Sequence, residues 1–200
     1  MTIVFNATTG ITTPPVSVEG STSGTITLVA PAVAGTNTQT LVAVTGTLAP
    51  IVSGTAVTTT SGTSFDFTSI PSWVKRITVM FNGVSLSGTS ALLVQIGDSG
   101  GIESTGYNSS ACNQVGTVTS STAGFVLVGN SAALTVSGIL TLVLLSSNTW
   151  VESHSTKLST AASGYGGGDK QLSDVLDRIR ITTVNGTDVF DAGSINILYE

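Results

Sequence analysis

Residues 75–85 read "KRITVMFNGVS", and this stretch decides the fold. Ile77, Val79 and Phe81 recur at every second position, which places their side chains on one face of an extended strand. Two adjacent charges at the start of the run cap that strand. Comparable apolar runs follow at 91–97, 124–129, 138–146 and 148–156, separated by turn formers. The pattern predicts a sheet of short antiparallel strands.

The region around this strand, residues 64–200, is predicted to form an antiparallel β-sandwich or jelly roll of seven to nine short strands. The runs 138–146 and 148–156 flank an "SSN" turn, so they should form a hairpin. From Arg178 onward the period is two, with Ile179 and Ile181 facing inward. The predicted core comprises Phe65, Phe67, Trp73, Ile77, Val79, Phe81, Leu93, Phe125, Leu127, Leu140, Leu142 and Ile181.

Two segments near the end of the chain carry no strand pattern. "GYGGGDKQ" (164–171) lacks the G-x-x-x-x-G-K-[ST] spacing that binds phosphate, and its glycines predict a flexible loop. Leu172, Val175, Leu176 and Ile179 fit the i, i+3, i+4, i+7 spacing. That spacing predicts one or two helical turns after the glycine run.

The composition favours an all-β chain and excludes several functions. Only 8% of the residues are charged, against about a quarter in an ordinary domain, and Ser, Thr, Asn and 23 glycines supply the polar remainder. The net charge is −5 and no basic residue precedes Lys75, which argues against a nucleic-acid partner. The apolar run 138–145 is too short to span a membrane, no signal peptide is visible, and the single Cys112 forms no internal disulfide.

Residues 1–63 differ from the rest and are predicted to form an extended segment for attachment and oligomerisation. They contain one aromatic residue, Phe5, and one charge, Glu19, with short β-prone runs interrupted by Pro and Gly. One copy has too little apolar area to offset the entropy of ordering its backbone. Because charges that guard sheet edges are also scarce, the chain is expected to assemble with itself, as a homotrimer, or with partners.

"GDSGG" (97–101) resembles the surroundings of a nucleophilic serine, Ser99. A trypsin-like order requires a histidine before the serine, and the only histidine, His154, lies after it. The hydrolase order Ser99, Glu103, His154 is formally available, but a helix must follow the serine and "GGIESTGYNSS" has no helical period. We therefore interpret the motif as a turn and predict no catalytic residue.

The remaining candidate sites are weak. The acid pairs Asp174/Asp177 and Asp188/Asp191 lack the repeated oxygen ligands of a calcium loop, so turn capping is favoured. His154 has no second metal-ligating partner and is expected at the surface or an interface; no metal or cofactor is predicted. Aromatic rings flanked by Asn, Asp and Gly are typical of glycan binding, and this pattern selects Tyr107, Trp150 and Tyr165. The alternative, packing in the core or an interface, remains open and is favoured for them.

Two segments resemble the C-terminal domain of tailed-bacteriophage fibre proteins: "SFDFTSIPSWVKRITVMFNGVSLSGTSALLVQIGDSGGIESTGY" (64–107) and "LDRIRITTVNGTDVFDAGSINILYE" (176–200). The resemblance covers residues 63–200, loosely over 108–165. It implies a virion protein, assembled in the host cytoplasm, that is trimeric and has no enzymatic activity.

The leading hypothesis is therefore a tail-fibre or spike protein, attached to other virion proteins by its N-terminal part. Its sandwich would point outward, towards host surface glycans. The alternative is a capsid-decorating, cement or head-fibre protein that stabilises the particle. A hydrolase acting through Ser99 is the third and most remote function.

Overall fold

The structure is a computed structural model that describes residues 16–19, 25–28, 49–114, 116–129, 131–159 and 162–200. The chain divides into two compact units, 1–47 and 48–200. In the first unit, β1 (Val16–Glu19) pairs antiparallel with β2 (Thr25–Leu28). The predicted attachment and trimerisation role of residues 1–63 lies mostly outside the described residues.

The second unit contains only strands, turns and loops in its described residues. The strands are β3 (Val52–Ser53), β4 (Val57–Thr58), β5 (Phe65–Phe67), β6 (Arg76–Leu86), β7 (Leu92–Asp98), β8 (Gly101–Ile102), β9 (Tyr107–Asn113), β10 (Val118–Ser121), β11 (Phe125–Val126), β12 (Val136–Ser146), β13 (Thr149–Leu158), β14 (Ala162–Gln171), β15 (Arg178–Thr183) and β16 (Phe190–Tyr199). The all-β prediction is confirmed.

These strands form two antiparallel sheets. The nine-stranded sheet has the order β10-β9-β14-β13-β12-β6-β16-β3, and β4 also pairs with β16. The five-stranded sheet has the order β11-β7-β15-β5, and β8 pairs with β7. Every strand pairing among the described residues is antiparallel, which is the predicted arrangement.

The two sheets pack face to face around one apolar core, as in a β-sandwich. Phe65 of the smaller sheet makes an edge-to-face contact with Phe190 of the larger one, with ring centroids 5.1 Å apart. Phe125 and Tyr107 form the same kind of contact at 5.0 Å. Edge-to-face aromatic pairs stabilise a core beyond the area that they bury.

Most of the predicted core is confirmed. Ile77, Val79, Phe81, Leu93, Phe125, Leu127, Leu140, Leu142 and Ile181 are buried. Phe65 and Phe67 are half-buried and pack against the core. The prediction for Trp73 is wrong: it is 39% exposed and lies in a turn, with its ring 6.0 Å from that of Tyr199.

The strand alternation of residues 75–85 and 138–156 sets the centre of the larger sheet. β12 and β13 form the predicted hairpin, with Leu140 opposite His154, and β6 pairs with the other side of β12. On β15, Ile179 and Ile181 are fully buried while Arg180 bonds Asp66 of β5 through two N–H groups, each at 2.7 Å. The period of two therefore predicts the buried face correctly.

The sequence predicts that the sandwich starts at Ser64. In the structure it begins earlier in the chain. β3 and β4 pair with β16, and the buried Thr59 donates its hydroxyl to the carbonyl of Ala192 at 2.7 Å. Residues 52–59 thus belong to the larger sheet, which they extend beyond β16.

Two predictions near the end of the chain are wrong. Residues 164–171 lie in β14, a ten-residue strand between β13 and β9, and not in a flexible loop. Residues 172–177 contain no helix; Leu172 and Leu176 are buried but Val175 is 46% exposed. A loop that tucks two leucines into the core reproduces part of a helical spacing without a helix.

Candidate functional site

The "GDSGG" motif forms a tight turn between β7 and β8. Gly97 lies opposite Ile102 and Asp98 opposite Gly101, so Ser99 and Gly100 are the two turn residues. Asp98 Oδ1 accepts a hydrogen bond from the Gly100 N–H at 2.8 Å. A Cβ at Gly97 would lie 2.1 Å from the carbonyl oxygen of Gly101, so only glycine fits. The residues after Ser99 continue into a strand, not the helix that a nucleophile elbow needs.

We expect Ser99 to be unreactive towards a fluorophosphonate probe. The only histidine is fully buried and its Nδ1 lies 2.7 Å from Glu152 Oε1, so it is shielded from the exposed Ser99 hydroxyl. Labelling of the native full chain is the measurement, and Ser99→Ala is the control. Labelling of the wild type that disappears in Ser99→Ala would contradict the turn interpretation.

A polar cluster anchors the same turn to the loop after β14. Ser173 Oγ lies 2.6 Å from Asp98 Oδ2 and 2.8 Å from Glu103 Oε1, and it donates its single proton to one of them at a time. The Ser173 N–H also donates to Glu103 at 2.7 Å, and Lys170 Nζ lies 2.5 Å from Glu103 Oε2. Lys170 Nζ also lies 5.4 Å from the centre of the Tyr107 ring.

The electrostatics of this cluster favour ionised carboxylates. Hydrogen bonds from Ser173 and Gly100 hold the pKa of Asp98 below its usual range. Partial burial acts to raise the pKa of Glu103, but hydrogen bonds from Lys170 and Ser173 outweigh it, and this pKa is also lowered. Neither carboxyl group is set up as a general acid, which would require a raised pKa. The cluster fixes the turn.

The lowered pKa values of Asp98 and Glu103 predict that the folded state loses stability in acid. A carboxyl group whose pKa is lowered on folding stabilises the folded state above its unfolded pKa, and that contribution is lost as the pH falls through the folded pKa. We therefore expect stability to fall below about pH 4. In urea titrations between about pH 7 and pH 2, the double variant Asp98→Asn/Glu103→Gln should show a flatter profile. The exposed Ile51→Ala, which removes no titratable group, is the control and should keep the wild-type slope; equal slopes in all three chains would contradict this assignment.

The three aromatic candidates do not lie together. Tyr107 and Trp150 are each 3% exposed, so their ring faces are covered. The Tyr107 hydroxyl accepts a bond from the Ile96 N–H at 2.7 Å and lies within 3.0 Å of two carbonyl oxygens, and burial raises its pKa. For these two residues the core alternative holds, which corrects the glycan assignment. Tyr165 is 51% exposed, and a hydrogen bond with the Cys112 thiol raises its pKa.

Sequence reasoning missed a polar stripe inside the sandwich. Glu152, His154 and Thr156 alternate along β13 and point into the core, so the predicted surface position of His154 is wrong. Glycines of β14 stand opposite them: Gly168, Gly166 and Gly164 in turn. A Cβ at Gly166 would lie 2.5 Å from His154 Cε1. The glycine run therefore makes room for the buried histidine, a signal visible only once the register of the two strands is known.

Glu152 Oε2 and His154 Nε2 are buried without a protein hydrogen-bond partner. Leu140 and Leu142 of β12 flank the pair on the other side, opposite His154 and Glu152 respectively. Buried polar atoms usually have hydrogen-bond partners, so this inward-facing pair is unusual for a core. Among the described residues, no group of three or more His, Cys, Asp and Glu side chains could hold a metal ion.

The opposite side of the larger sheet is a broad solvent-exposed surface, which we call the outer face. It is formed by the outward residues of β6, β12, β13, β14 and β9, and its centre consists mainly of Ser, Thr and Gly. Several large apolar side chains are exposed on it: Ile139, Val143, Val151 and Tyr165, each at least 40% exposed. Its charges lie at the ends of the strands: Lys157 at one, and Asp169 with the Arg76–Glu200 ion pair at the other.

No family model, no curated protein and no solved structure matches this chain. Within the part of the chain that the structure describes, no helix is long and apolar enough to cross a membrane.

Proposed function

We propose that the chain is a non-enzymatic structural protein of a tailed-bacteriophage particle, a fibre or spike subunit. The part of the predicted attachment segment that precedes the sandwich, residues 1–47, attaches it to other virion proteins and gathers its copies into a homotrimer, and the sandwich points outward. The observation that carries the proposal is the outer face. A broad sheet surface with few charges and several exposed apolar side chains is typical of a surface that packs against another protein.

The motif that carries the fibre resemblance supports the proposal through its structural roles. In "VNGTDVFDAGSINILYE", Asn185 Oδ1 accepts bonds from the N–H groups of Thr187 and Asp188, which closes a turn. Gly193 has φ +97°, and a Cβ there would lie 2.5 Å from the Gly83 carbonyl oxygen. Phe190, Ile195 and Ile197 are buried. The motif thus specifies strand β16, which lies next to the edge strands β3 and β4, and its pairing with β6.

For host glycans, the aromatic candidate that remains is Tyr165, because its ring is open to solvent in a single copy; a glycan on this ring and a second copy on the outer face exclude each other. Ring faces bind sugars by stacking, and Asn108 and Asp169, which pair with each other about 13 Å along the strands from Tyr165, supply polar groups on the same face. A glycan array probed with the full chain and with Tyr165→Ala tests this part alone.

The particle role is tested by antibody labelling of purified particles with a serum raised against the full chain. Labelling at the tail supports the fibre assignment, and labelling distributed over the head supports the decoration alternative. If purified infectious particles contained no copy of the chain, by labelling and by mass spectrometry, the proposal would be overturned.

A further inference from the structure

We propose that the outer face pairs with the outer face of a second copy of the chain, one that belongs to a different trimer, across a two-fold axis. The register of β13 and β14 carries this inference. Ser155 lies opposite Tyr165, Ser153 opposite Gly167, Val151 opposite Asp169, and Lys157 opposite Ser163. The midpoint of this ladder is the inward-facing pair His154–Gly166.

The shape of the face is complementary to itself about that midpoint. Tyr165 projects from β14 one residue to one side of Gly166, and Gly167, which has no side chain, lies one residue to the other side. Consider a two-fold axis that lies in the plane midway between two facing sheets. It runs perpendicular to the strands and passes at the level of Gly166. Because the Tyr165 hydroxyl bonds Cys112 of β9, the axis places each Tyr165 ring over Gly167 and Ser110 of the other copy, so that each ring meets small residues.

The charges are complementary about the same axis. Lys157 and Asp169 are exposed. Each lies three residues along the strands from the His154–Gly166 midpoint, in opposite directions. The axis brings Asp169 of the second copy over Ser163, one strand spacing of about 4.8 Å from Lys157. Facing sheets lie about 10 Å apart, a gap that the lysine and aspartate side chains span together. Two such ion pairs form, one at each end of the contact. Because each lysine meets an aspartate only when the strands of the two copies run in opposite directions, the charges favour that orientation.

The size of the face is sufficient for a stable pair. Five strands at about 4.8 Å and seven residues at about 3.3 Å give a footprint of roughly 24 Å by 23 Å. The accessible area of such a corrugated surface exceeds this footprint of about 550 Å² and approaches the roughly 800 Å² per partner of a standard interface. Ile139 lies next to the midpoint of the contact, and Val143 and Val151 lie three residues along the strands from it, where they add apolar area.

Zero-length carbodiimide cross-linking of the full chain tests the pairing. Within one copy, Lys157 and Asp169 lie at strand levels six residues, or about 20 Å, apart, so the reagent cannot join them internally. We expect a cross-linked product of two chains whose digest contains Lys157 joined to Asp169. A product that joins Lys157 to residues 1–47, or none at all, would overturn the proposal, because another occupant or solvent would then cover the face.

Charge-reversal variants supply the second test, read by sedimentation velocity. Lys157→Asp or Asp169→Lys places like charges together and should weaken association by about ten-fold or more, halving the mass of the complex whatever number of copies residues 1–47 gather. The swap Lys157→Asp/Asp169→Lys should restore the wild-type mass. Lys75→Asp, at an exposed position outside the proposed contact, is the control. Unchanged mass in both single variants would contradict the pairing while leaving the particle role standing, since the contact does not depend on it.

Discussion

Replacing Phe125 with alanine is expected to lower the free energy of unfolding by about 3–5 kcal/mol. Phe125 is fully buried in β11 and its ring meets Tyr107 of the opposite sheet edge to face, with an interplanar angle of 88°. The substitution removes the ring from the point where the two sheets touch and leaves a cavity that the strands cannot close. Urea unfolding at fixed protein concentration, followed by tryptophan fluorescence, measures the loss.

The matched control for this prediction is Ile51→Ala. Ile51 is 67% exposed, so its truncation should change stability by less than about 0.5 kcal/mol. If Phe125→Ala were as stable as Ile51→Ala, the two sheets would not be held together by this contact, and the packing of one sheet on the other through Phe125 would be wrong.

Gly166→Ala is expected to destabilise the fold by about 3 kcal/mol or more, although it adds one methyl group. The added Cβ would lie 2.5 Å from His154 Cε1, 2.5 Å from the Ser110 carbonyl oxygen and 2.9 Å from Ala111 Cα. Two of these neighbours are backbone atoms of the paired strand β9, which cannot move without breaking the ladder. Overpacking against fixed backbone exceeds the usual cost of an extra methyl group in a core.

Gly167→Ala separates this steric effect from the general effect of replacing a strand glycine. Gly167 is the next residue on the same strand and faces outward, where a Cβ would meet only the Glu152 carbonyl oxygen, at 3.2 Å. We expect a change of less than about 1 kcal/mol. Equal losses of stability in the two variants would mean that Gly166 of β14 does not lie opposite His154 of β13.

The parts of the fold that the sequence predicts are those where side chains alternate. β6, the β12–β13 hairpin and β15 follow from a period of two in apolar residues, because one face of each strand is buried. β14 could not be predicted this way. Its inward positions are Gly164, Gly166 and Gly168, and glycine leaves no apolar period to read.

The buried histidine was unpredictable for a related reason. The inward face of β13 carries Trp150, Glu152, His154 and Thr156, a mixture of polar and apolar residues. The sequence of β13 therefore does not show which of its faces is buried. Only the glycines on the paired strand show that the inward side holds large polar groups. The outer face depends likewise on the register of five strands drawn from across the domain, which no local pattern specifies.

The most direct test of the proposed role is an electron cryo-microscopy reconstruction of the phage particle at side-chain resolution. We predict density for the two-layer sandwich of residues 49–200 as an ordered, outward-pointing part of the particle. The outer face of each copy should lie against that of a copy from a different trimer, with Tyr165 over Gly167 and Ser110. A particle without this sandwich, or one in which the outer face of every copy is bare to solvent, would contradict these predictions.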